Sequence, residues 1–375
     1  MHFELTEDQT MIRDTARSFV QKESPVERMR KLRDTDLGYD AAVWQKMGEL
    51  GWLGLPFSDA DGGFGGDMID VALVLEQLGS TLVPEPYTAS VVLGGMAVAK
   101  TAQGSLRSEL LGPMIEGRTS LALAWSEEAA RYDATRVATT AERTDGGHAL
   151  RGTKTWVLNG HAAEQLVVSA KTKAGVSLFA VPRAASGVHV ESVKTMDGGR
   201  AARVRLDGAV GQLLGDDGAG AGVLDEVLDM GAAAACAEGL GIANAVLWMT
   251  VEYLRTRKQF GVPIGVFQAL QHRAVDMFVA VELMKGTSIL ANARVASDDP
   301  ELRRSAVSAA KATLSTSGFM VVAQAIQLHG GIGVTDEHDV SLYFKRMRVL
   351  NALFGDEEHH VQRYMSSPRF TEALG

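Results

Sequence analysis

The chain has 375 residues, of which 46% are hydrophobic and 22% charged, so it can bury a sizeable core in two or three domains and is not a disordered protein. The net charge of −9 argues against a nucleic-acid partner, because phosphate-backbone binding requires clustered Lys and Arg side chains. The single cysteine, Cys236, excludes an internal disulfide framework and a cysteine-rich zinc site, and the stretch MHFELTEDQT lacks a secretory signal pattern, so we expect a cytoplasmic protein.

The first part of the sequence is predicted to be helical. Thr6 and Gln9 form a capping-box pattern ahead of an amphipathic run, and two further helical patterns end at Gly51 and Gly79. The glycine-rich stretch FSDADGGFGGD between them has no preceding strand and no following Lys-Ser/Thr, so we expect a connecting loop rather than a phosphate-binding loop. We therefore predict an all-α domain over residues 1–118.

Residues 119–217 have the pattern of a β domain. Short apolar runs alternate with Gly, Asp and Asn: SLALAW, TRVATTAE, TKTWVLNG, EQLVVSAK, VSLFAVP and ARVRLDG. Their spacing predicts a compact sandwich or barrel of antiparallel strands. The stretch GDDGAGAG, residues 215–222, is the predicted hinge back to helical sequence.

Residues 218–375 are predicted to form a C-terminal four-helix bundle. Four long segments carry apolar stripes, at residues 223–257, 264–297, 300–329 and 336–354. The longest weakly polar run, residues 231–251, is rich in Ala and Gly and contains Glu238, which favours a closely packed buried helix over a membrane span. The predicted fold class is α+β multidomain, with an N-terminal helical domain, a middle antiparallel β domain and a C-terminal four-helix bundle.

The connection between the first two helices of this bundle is charged and aromatic. It reads YLRTRKQFGVPIGVFQALQHRAVDM, residues 253–277, and Pro263 predicts that one helix ends near Phe260 and the next begins near Ile264, with Gln268 about one turn further on.

The residue types in this connection suit a nucleotide. Arg257 offers a planar fork for phosphate oxygens, Phe260 offers a flat face for a purine, and Gln259 and Gln268 offer hydrogen-bond donors and acceptors. On residue types alone, a solvated helix-turn-helix corner is the commoner structure.

The stretch YLRTRKQFGVPIGVFQALQHRAVDM resembles the signature of the flavin-dependent acyl-CoA dehydrogenase family, and QLHGGIGVTDEH, residues 327–338, resembles its second signature. The resemblance covers essentially the whole chain in length and segment order. It implies FAD as cofactor and the α,β-desaturation of an acyl-CoA in fatty acid, lipid or steroid degradation. It also implies assembly as dimers or tetramers and an electron-transfer flavoprotein as acceptor, with no membrane or nucleic-acid partner.

The resemblance assigns roles to individual residues. It implies that Arg257 meets the FAD pyrophosphate, that Phe260 packs near the adenine and that Trp156 packs against the flavin ring. The remaining expected cofactor contacts are Gln259, Gln268, Gln327, His329, Gly330, Gly331, Leu158 and Ser126. In the family such groups typically reach the flavin of a neighbouring subunit, so that cofactor binding and assembly are coupled.

The positions that correspond to the catalytic base depart from the family pattern. The family's catalytic glutamate falls on Phe354, and the position used by a subset of the family falls on Gly231; neither residue can accept a proton. Leu158 replaces a threonine that faces the flavin, and Ala232 replaces an arginine. A two-residue shift of the alignment would bring Asp356 to the base position, and Asp356 is the only carboxylate that we nominate as catalytic.

The run Asp356–His360 contains metal-ligating residue types, but consecutive side chains rarely converge on one ion. We therefore expect a solvated loop or a partner-contacting segment here, and no metal site. The sequence of this loop resembles the smaller subunits of two-chain acyl-CoA dehydrogenases of the pimeloyl-CoA and steroid side-chain types.

Three hypotheses follow. The first is a subunit of an α2β2 acyl-CoA dehydrogenase that completes the FAD site of a partner chain, which supplies the base. The second is a self-sufficient homo-oligomeric enzyme that uses Asp356, and the third is a cofactor-free binding or scaffold protein of the same fold.

Overall fold

The computed structural model describes residues 4–368 and 370. In chain order the helices are α1 (Glu7–Glu23), α2 (Val26–Leu32), α3 (Ala41–Glu49), α4 (Met68–Ser80), α5 (Met96–Thr101), α6 (Gly104–Ile115), α7 (Gly220–Thr256), α8 (Gln268–Arg294), α9 (Pro300–Thr313), α10 (Phe319–His329), α11 (Val340–Ala352) and α12 (Glu357–Met365). The strands are β1 (Leu121–Ala124), β2 (Thr140–Thr144), β3 (Gly147–Leu158), β4 (Gln165–Lys171), β5 (Val176–Pro182), β6 (Val188–Lys194), β7 (Arg200–Leu214), β8 (Lys258–Gln259) and β9 (Val262–Pro263).

The chain divides into two compact units. The helical unit comprises Met1–Lys31, Met68–Val83 and Ala232–Gly375, and the sheet unit comprises Leu32–Asp67 and Pro84–Gly231. The predicted fold class is confirmed, because an N-terminal helical region, a middle β sheet and C-terminal helices follow one another along the chain.

The predicted helices of the helical unit are present with shifted boundaries. The capping box is formed, since the Thr6 hydroxyl accepts a hydrogen bond from the Gln9 backbone N–H and the Gln9 side chain accepts one from the Thr6 N–H, both at 3.2 Å. The predicted helix over 300–329 contains one wider, π-helical turn, Leu314–Gly318, between α9 and α10. The helix α12 was not predicted, because its acidic and histidine-rich first turn does not resemble an apolar stripe.

Two glycines let α4 and α7 come into backbone contact. A Cβ atom on Gly79 would lie 2.3 Å from the Glu238 carbonyl oxygen, and one on Gly241 would lie 1.9 Å from the Glu76 carbonyl oxygen. Neither position therefore tolerates a side chain at this helix separation. The helix α4 ends at Ser80, one residue beyond the predicted stop at Gly79, and Gly79 itself serves the crossing, whereas Gly51 follows α3 with φ +80° as expected.

The sheet unit contains a closed ring of strands around an apolar core. The order β4-β2-β3-β7-β5 returns to β4 through the β4–β5 pairing, and the enclosed side chains include Leu150, Leu166, Phe179 and Val204. Most pairings are antiparallel as predicted, but β1 and β2 each pair with β4 in parallel. Sequence alternation does not reveal strand direction. The strand β6, VHVESVK, was missed although its first residues alternate between apolar and polar, and it pairs with β7.

Two stretches are long and apolar enough to cross a membrane by length and composition, Gly220–Thr256 and Pro300–Val334. Within the most apolar window of the first stretch, 89% of the residues are buried inside the protein. A core helix passes the same test as a membrane span, and the crossing of α4 by α7 at Gly241 shows why this helix is rich in small residues.

Candidate functional site

The predicted nucleotide corner is a two-residue hairpin. The helix α7 ends at Thr256, four residues earlier than predicted, and β8 pairs with β9 across Phe260 and Gly261. These two residues have φ values of +54° and +82°, the left-handed conformation that a tight hairpin turn requires. Because this turn already reverses the chain, α8 starts at Gln268 instead of near Ile264.

The hairpin presents its side chains to solvent. Phe260 is 90% exposed although it adopts a conformation that is uncommon for a bulky residue. Within residues 4–368 and 370, no acceptor binds the Arg257 guanidinium, whereas Arg255 lies 3.7 Å from Glu252. The exposed Gln268 side chain likewise makes no hydrogen bond to the described chain, and Gln259 donates only to the neighbouring Lys258 carbonyl oxygen. The hairpin thus exposes the Phe260 ring, and the Arg257 guanidinium beside it has no acceptor among the described residues.

The second motif lies beside this corner. The helix α10 ends at His329, and the His329 ring stacks on Tyr253 with 4.4 Å between ring centroids. The Tyr253 hydroxyl donates to the His329 carbonyl oxygen at 3.2 Å, and the Tyr253 carbonyl oxygen accepts from the Arg257 N–H at 2.8 Å. The structure therefore brings the Arg257 corner and the glycine pair Gly330–Gly331 together within the helical unit.

A buried nitrogen without a partner lies next to the glycine pair. The His329 ring is 2% exposed, and its Nδ1 is 2.8 Å from the Ala325 carbonyl oxygen, so Nδ1 carries the hydrogen. Its Nε2 is then an acceptor, for which the described residues supply no donor. Burial lowers the pKa of His329 and keeps the ring neutral, and the nearby His338 acts in the same direction.

These groups fit the nucleotide part of FAD. The His329 Nε2 could accept a hydrogen bond from a hydroxyl group, and a Cβ atom on Gly330 or Gly331 would meet nothing within 4 Å, so a ligand can approach the backbone there. Arg257 and the exposed Gln327 supply donors on the same unit.

The sheet unit brings together Ser126 and Trp156. Trp156 lies in an irregular part of β3 with φ +52°, and its indole is 60% exposed. The neighbouring Thr155 N–H donates to the Ser126 carbonyl oxygen at 2.9 Å, and Leu158, half-buried, pairs with Ala201 of β7. The flat, exposed face of Trp156 and the polar Ser126 segment thus form one surface.

Phe354 and Asp356, the two positions considered for the catalytic base, are held by backbone hydrogen bonds in the helical unit. Phe354 is buried with φ +60°, and its carbonyl oxygen lies 3.0 Å from the Nε2 of the buried His360. The Asp356 carboxylate is the N-cap of α12 and accepts from the His359 N–H at 3.0 Å. The prediction of a solvated loop over residues 356–360 was wrong, because this cap starts a helix. No group of three metal-ligating side chains occurs in the part of the chain that the structure describes.

Sequence reasoning missed the buried cation beneath this segment. Lys311 is fully buried, and its Nζ donates to the carbonyl oxygens of Leu350, Asn351 and Gly355 at 2.8, 3.3 and 3.1 Å. Burial lowers the pKa of Lys311 to about 8. A lysine on the apolar face of a helix, with Val307 four residues before it and Leu314 three residues after it, was the available signal.

Helical, sheet and helical regions follow one another along the chain, and an arginine hairpin lies beside a glycine-ended helix, an arrangement that suits a protein with a dinucleotide cofactor. Three family profiles match the chain: Acyl-CoA dehydrogenase, N-terminal domain, over residues 6–118; middle domain, over 122–208; and C-terminal domain, over 218–366. The chain belongs to the acyl-CoA dehydrogenase family. FAD is the cofactor of this family, whose enzymes are oxidoreductases acting on CH–CH bonds.

Curated relatives and solved structures are similar to this chain over almost its full length. Acyl-CoA dehydrogenase IpdE2 of Mycolicibacterium smegmatis is 31% identical over 364 residues, which cover 96% of this chain and 98% of that protein. A solved structure of a variant of the steroid ACAD Tcur3481-Tcur3483 matches with a TM-score of 0.88 and 28% identity, over 98% of this chain and 99% of that one. The ChsE4-ChsE5 complex from Mycobacterium tuberculosis matches with a TM-score of 0.87 and 28% identity, over 97% of each chain.

Proposed function

We propose that this chain is the subunit of a two-chain acyl-CoA dehydrogenase that completes the FAD site of a partner chain, and that the partner supplies the catalytic base. The observation that supports the proposal is a difference between two sets of positions in this chain. Arg257, Phe260 and Gln327, which the resemblance assigns to the nucleotide, are exposed, whereas Phe354 and Gly231 stand at the positions that the resemblance assigns to proton-accepting carboxylates.

The nucleotide end is the part that this chain contributes. Arg257 and the backbone at Gly330–Gly331 would hold the phosphates, because a guanidinium binds two phosphate oxygens at once and glycine allows close approach. Phe260 would stack on the adenine, and His329 Nε2 would accept a hydrogen bond. When bound, FAD supplies the hydride acceptor for the desaturation.

An apolar stripe on α8 supports assembly with a second chain. Exposed side chains recur along one side of the helix at Val275, Phe278, Val279, Leu283, Ile289 and Leu290. Their spacing of three, four and seven residues makes a continuous face that water would otherwise cover. Phe260 and Phe267, exposed at the same end of α8, extend this face to the hairpin and so would couple assembly to cofactor binding. Two of the matched structures also bear the names of two proteins.

The proposal is tested by co-expression with the genes adjacent to this one. We expect native mass measurement to give a mixed tetramer with one FAD for every two chains. The chain purified alone is expected to be colourless and inactive. If it binds one FAD per chain and desaturates an acyl-CoA at a rate typical of the family, the partner requirement is wrong. If it stays colourless with every partner, the scaffold hypothesis is correct.

Replacing Asp356 with asparagine separates the proposed function from the self-sufficient enzyme. Asparagine caps a helix as well as aspartate, so we expect the Asp356→Asn complex to keep its stability and to retain turnover within about twofold. A catalytic base replaced by an amide would instead lower turnover by about 100-fold or more, which would identify Asp356 as the base. Asp299→Asn is the matched control, since Asp299 caps α9 through the N–H groups of Glu301 and Leu302.

The substrate, the electron acceptor and the cellular location are proposals as well. We propose a fatty or steroid acyl-CoA as substrate, because the steroid enzyme and the ChsE4-ChsE5 complex are similar over nearly the whole chain. An electron-transfer flavoprotein is the proposed acceptor and the cytoplasm the proposed location. The division into domains at residues 118 and 217 stays a prediction.

A further inference from the structure

The strand β3 has a bulge at Trp156. Lys154 pairs with Val204 and Val157 pairs with Ala202, so two residues of β3 face the single residue Arg203 of β7. The extra residue turns the local backbone away from β7. As a result the Thr155 N–H bonds to Ser126, and the Trp156 side chain projects from the sheet with φ +52°.

A buried ion pair lies directly behind the bulge. Lys154 is 0% exposed, and its Nζ donates to Glu127 Oε1 at 2.7 Å, to Ser169 Oγ at 2.9 Å and to the Trp125 carbonyl oxygen at 3.4 Å. Burial lowers the pKa of Lys154 to about 8, and the ion pair with Glu127 opposes this shift. The ammonium group therefore joins β3, β4 and the segment that follows β1.

Both oxygens of the Glu127 carboxylate accept hydrogen bonds. Glu127 accepts from the Ala138 N–H at 2.7 Å, the Thr139 N–H at 3.1 Å and the Thr139 hydroxyl at 2.7 Å. Burial alone would raise the pKa of Glu127, but the hydrogen bonds from Lys154 and its other donors bring this pKa below the usual value. Both members thus stay charged at neutral pH.

The positions of Lys154 and Glu127 in the sequence connect their ion pair to Ser126 and Trp156. Lys154 immediately precedes Thr155, and Glu127 immediately follows Ser126, so the ion pair flanks the backbone hydrogen bond between Thr155 and Ser126. A buried ion pair adds little net stability compared with apolar residues of the same volume. What it does supply is a defined relative position for Ser126 and Trp156.

We infer that Glu127 and Lys154 are positioning residues for the flavin ring, and that they hold the Trp156 bulge against the Ser126 segment. The inference rests on the proposed function together with the assignment of Ser126 and Trp156 as flavin contacts, which the family resemblance implies. Without the pair, the bulge is free to shift along β3, and a misplacement of about 1 Å at a reacting group is enough to slow catalysis on the order of 100-fold.

The test uses the double variant Glu127→Gln/Lys154→Met in the co-expressed complex, because removing both charges leaves no unpaired buried ion. At saturating FAD we expect turnover to fall at least about tenfold, with the KM for acyl-CoA unchanged within about twofold. We also expect the visible spectrum of the bound flavin to shift. A structural role alone would lower stability without moving these properties. Wild-type turnover and an unchanged flavin spectrum would overturn the inference.

Two further variants make the result unambiguous. The control Asp61→Asn/Arg107→Met removes another, partly buried ion pair of the sheet unit, 2.7 Å between Asp61 Oδ2 and Arg107 Nη2, and is expected to keep wild-type turnover and spectrum. If the double variant at β3 does not fold, Ser169→Ala removes a single Lys154 contact and should lower turnover about twofold to fivefold. Wild-type turnover in Ser169→Ala would then reject the inference.

A last variant separates this inference from the proposed function. Trp156→Ala removes the aromatic face itself and should weaken FAD binding and slow turnover. If Trp156→Ala changes neither property, Trp156 is not a flavin contact and the positioning inference fails with that assignment, whereas the proposed role of Arg257 at the nucleotide end is tested separately by Arg257→Ala. If Trp156→Ala impairs both while the double variant behaves like wild type, only the positioning role is rejected.

Discussion

Replacing Arg257 with alanine is expected to lower the affinity of the assembled protein for FAD by at least about 100-fold. A bidentate bond between a guanidinium and a phosphate is worth about 3 kcal/mol, and each 1.4 kcal/mol is a factor of ten in the dissociation constant. The loss should be this large because no acceptor among the described residues binds Arg257, so its whole donor set is available to the cofactor. Flavin titration of the apo-complex measures the change.

Two controls make this prediction specific. Arg255→Ala removes the same charge two residues away, on the last turn of α7, where the guanidinium lies near Glu252. We expect the Arg255 variant to bind FAD within about threefold of wild type, since an exposed ion pair contributes little. Arg257→Lys keeps the charge but not the planar fork and should bind with intermediate affinity. Equal effects of the Arg255 and Arg257 variants would show that only net charge matters and that Arg257 is not a phosphate ligand.

Replacing Gly241 with alanine is expected to destabilise the helical unit by about 3 kcal/mol. The added Cβ would lie 1.9 Å from the Glu76 carbonyl oxygen, far inside contact distance, and a backbone atom cannot move aside like the end of a side chain. The helices α4 and α7 must then separate and lose packing along the whole crossing. Chemical unfolding followed by circular dichroism measures the loss of stability.

The same helix provides the matched control. A Cβ on Gly222, in the first turn of α7, meets nothing within 4 Å, so Gly222→Ala should leave stability unchanged or raise it by up to about 1 kcal/mol. Gly79→Ala should resemble Gly241→Ala, because its Cβ would lie 2.3 Å from the Glu238 carbonyl oxygen on the other side of the crossing. The double variant Gly79→Ala/Gly241→Ala should lose less stability than the sum of the two single losses, because one separation of α4 from α7 relieves both clashes. Equal stabilities of the Gly241 and Gly222 variants would contradict this account of the crossing.

Within the helical unit, side-chain contacts join the two segments that we propose bind the cofactor. Tyr253 joins the end of α7 to the end of α10, because its ring stacks on His329 and its hydroxyl bonds to the same residue's carbonyl oxygen. His338 also packs against both rings, with its centroid 6.3 Å from Tyr253 and 4.5 Å from His329. These contacts join the hairpin to the glycine pair within the protein itself, which would limit the ordering cost of cofactor binding.

Local sequence patterns were sufficient for most of the elements, although β6 and α12 were missed, and two contiguous motifs were sufficient for the family. The Thr6 capping box, the alternating runs of the middle region and the stop before the hairpin depend on residues within a few positions of one another, which is where backbone preferences act. Arg257, Phe260 and the glycine pair could be nominated for the same reason, because their motifs are contiguous. The domain boundaries and the roles of individual site residues stay predictions.

What only the tertiary structure decided are the features that join distant segments. Lys154 meets Glu127 across 27 positions of sequence, and Lys311 meets Gly355 across 44, so the partners of these two buried cations cannot be identified from their neighbours in the chain. Gly79 was predicted as a helix end because glycine often has that role, but its actual role depends on a second glycine in another helix. Asp356 became a helix cap for a comparable reason, since α12 packs onto α9 and fixes where its first turn begins. Sequence alone determines which local structures a segment prefers, whereas burial and pairing across the fold determine which side chains become structural and which stay available for chemistry.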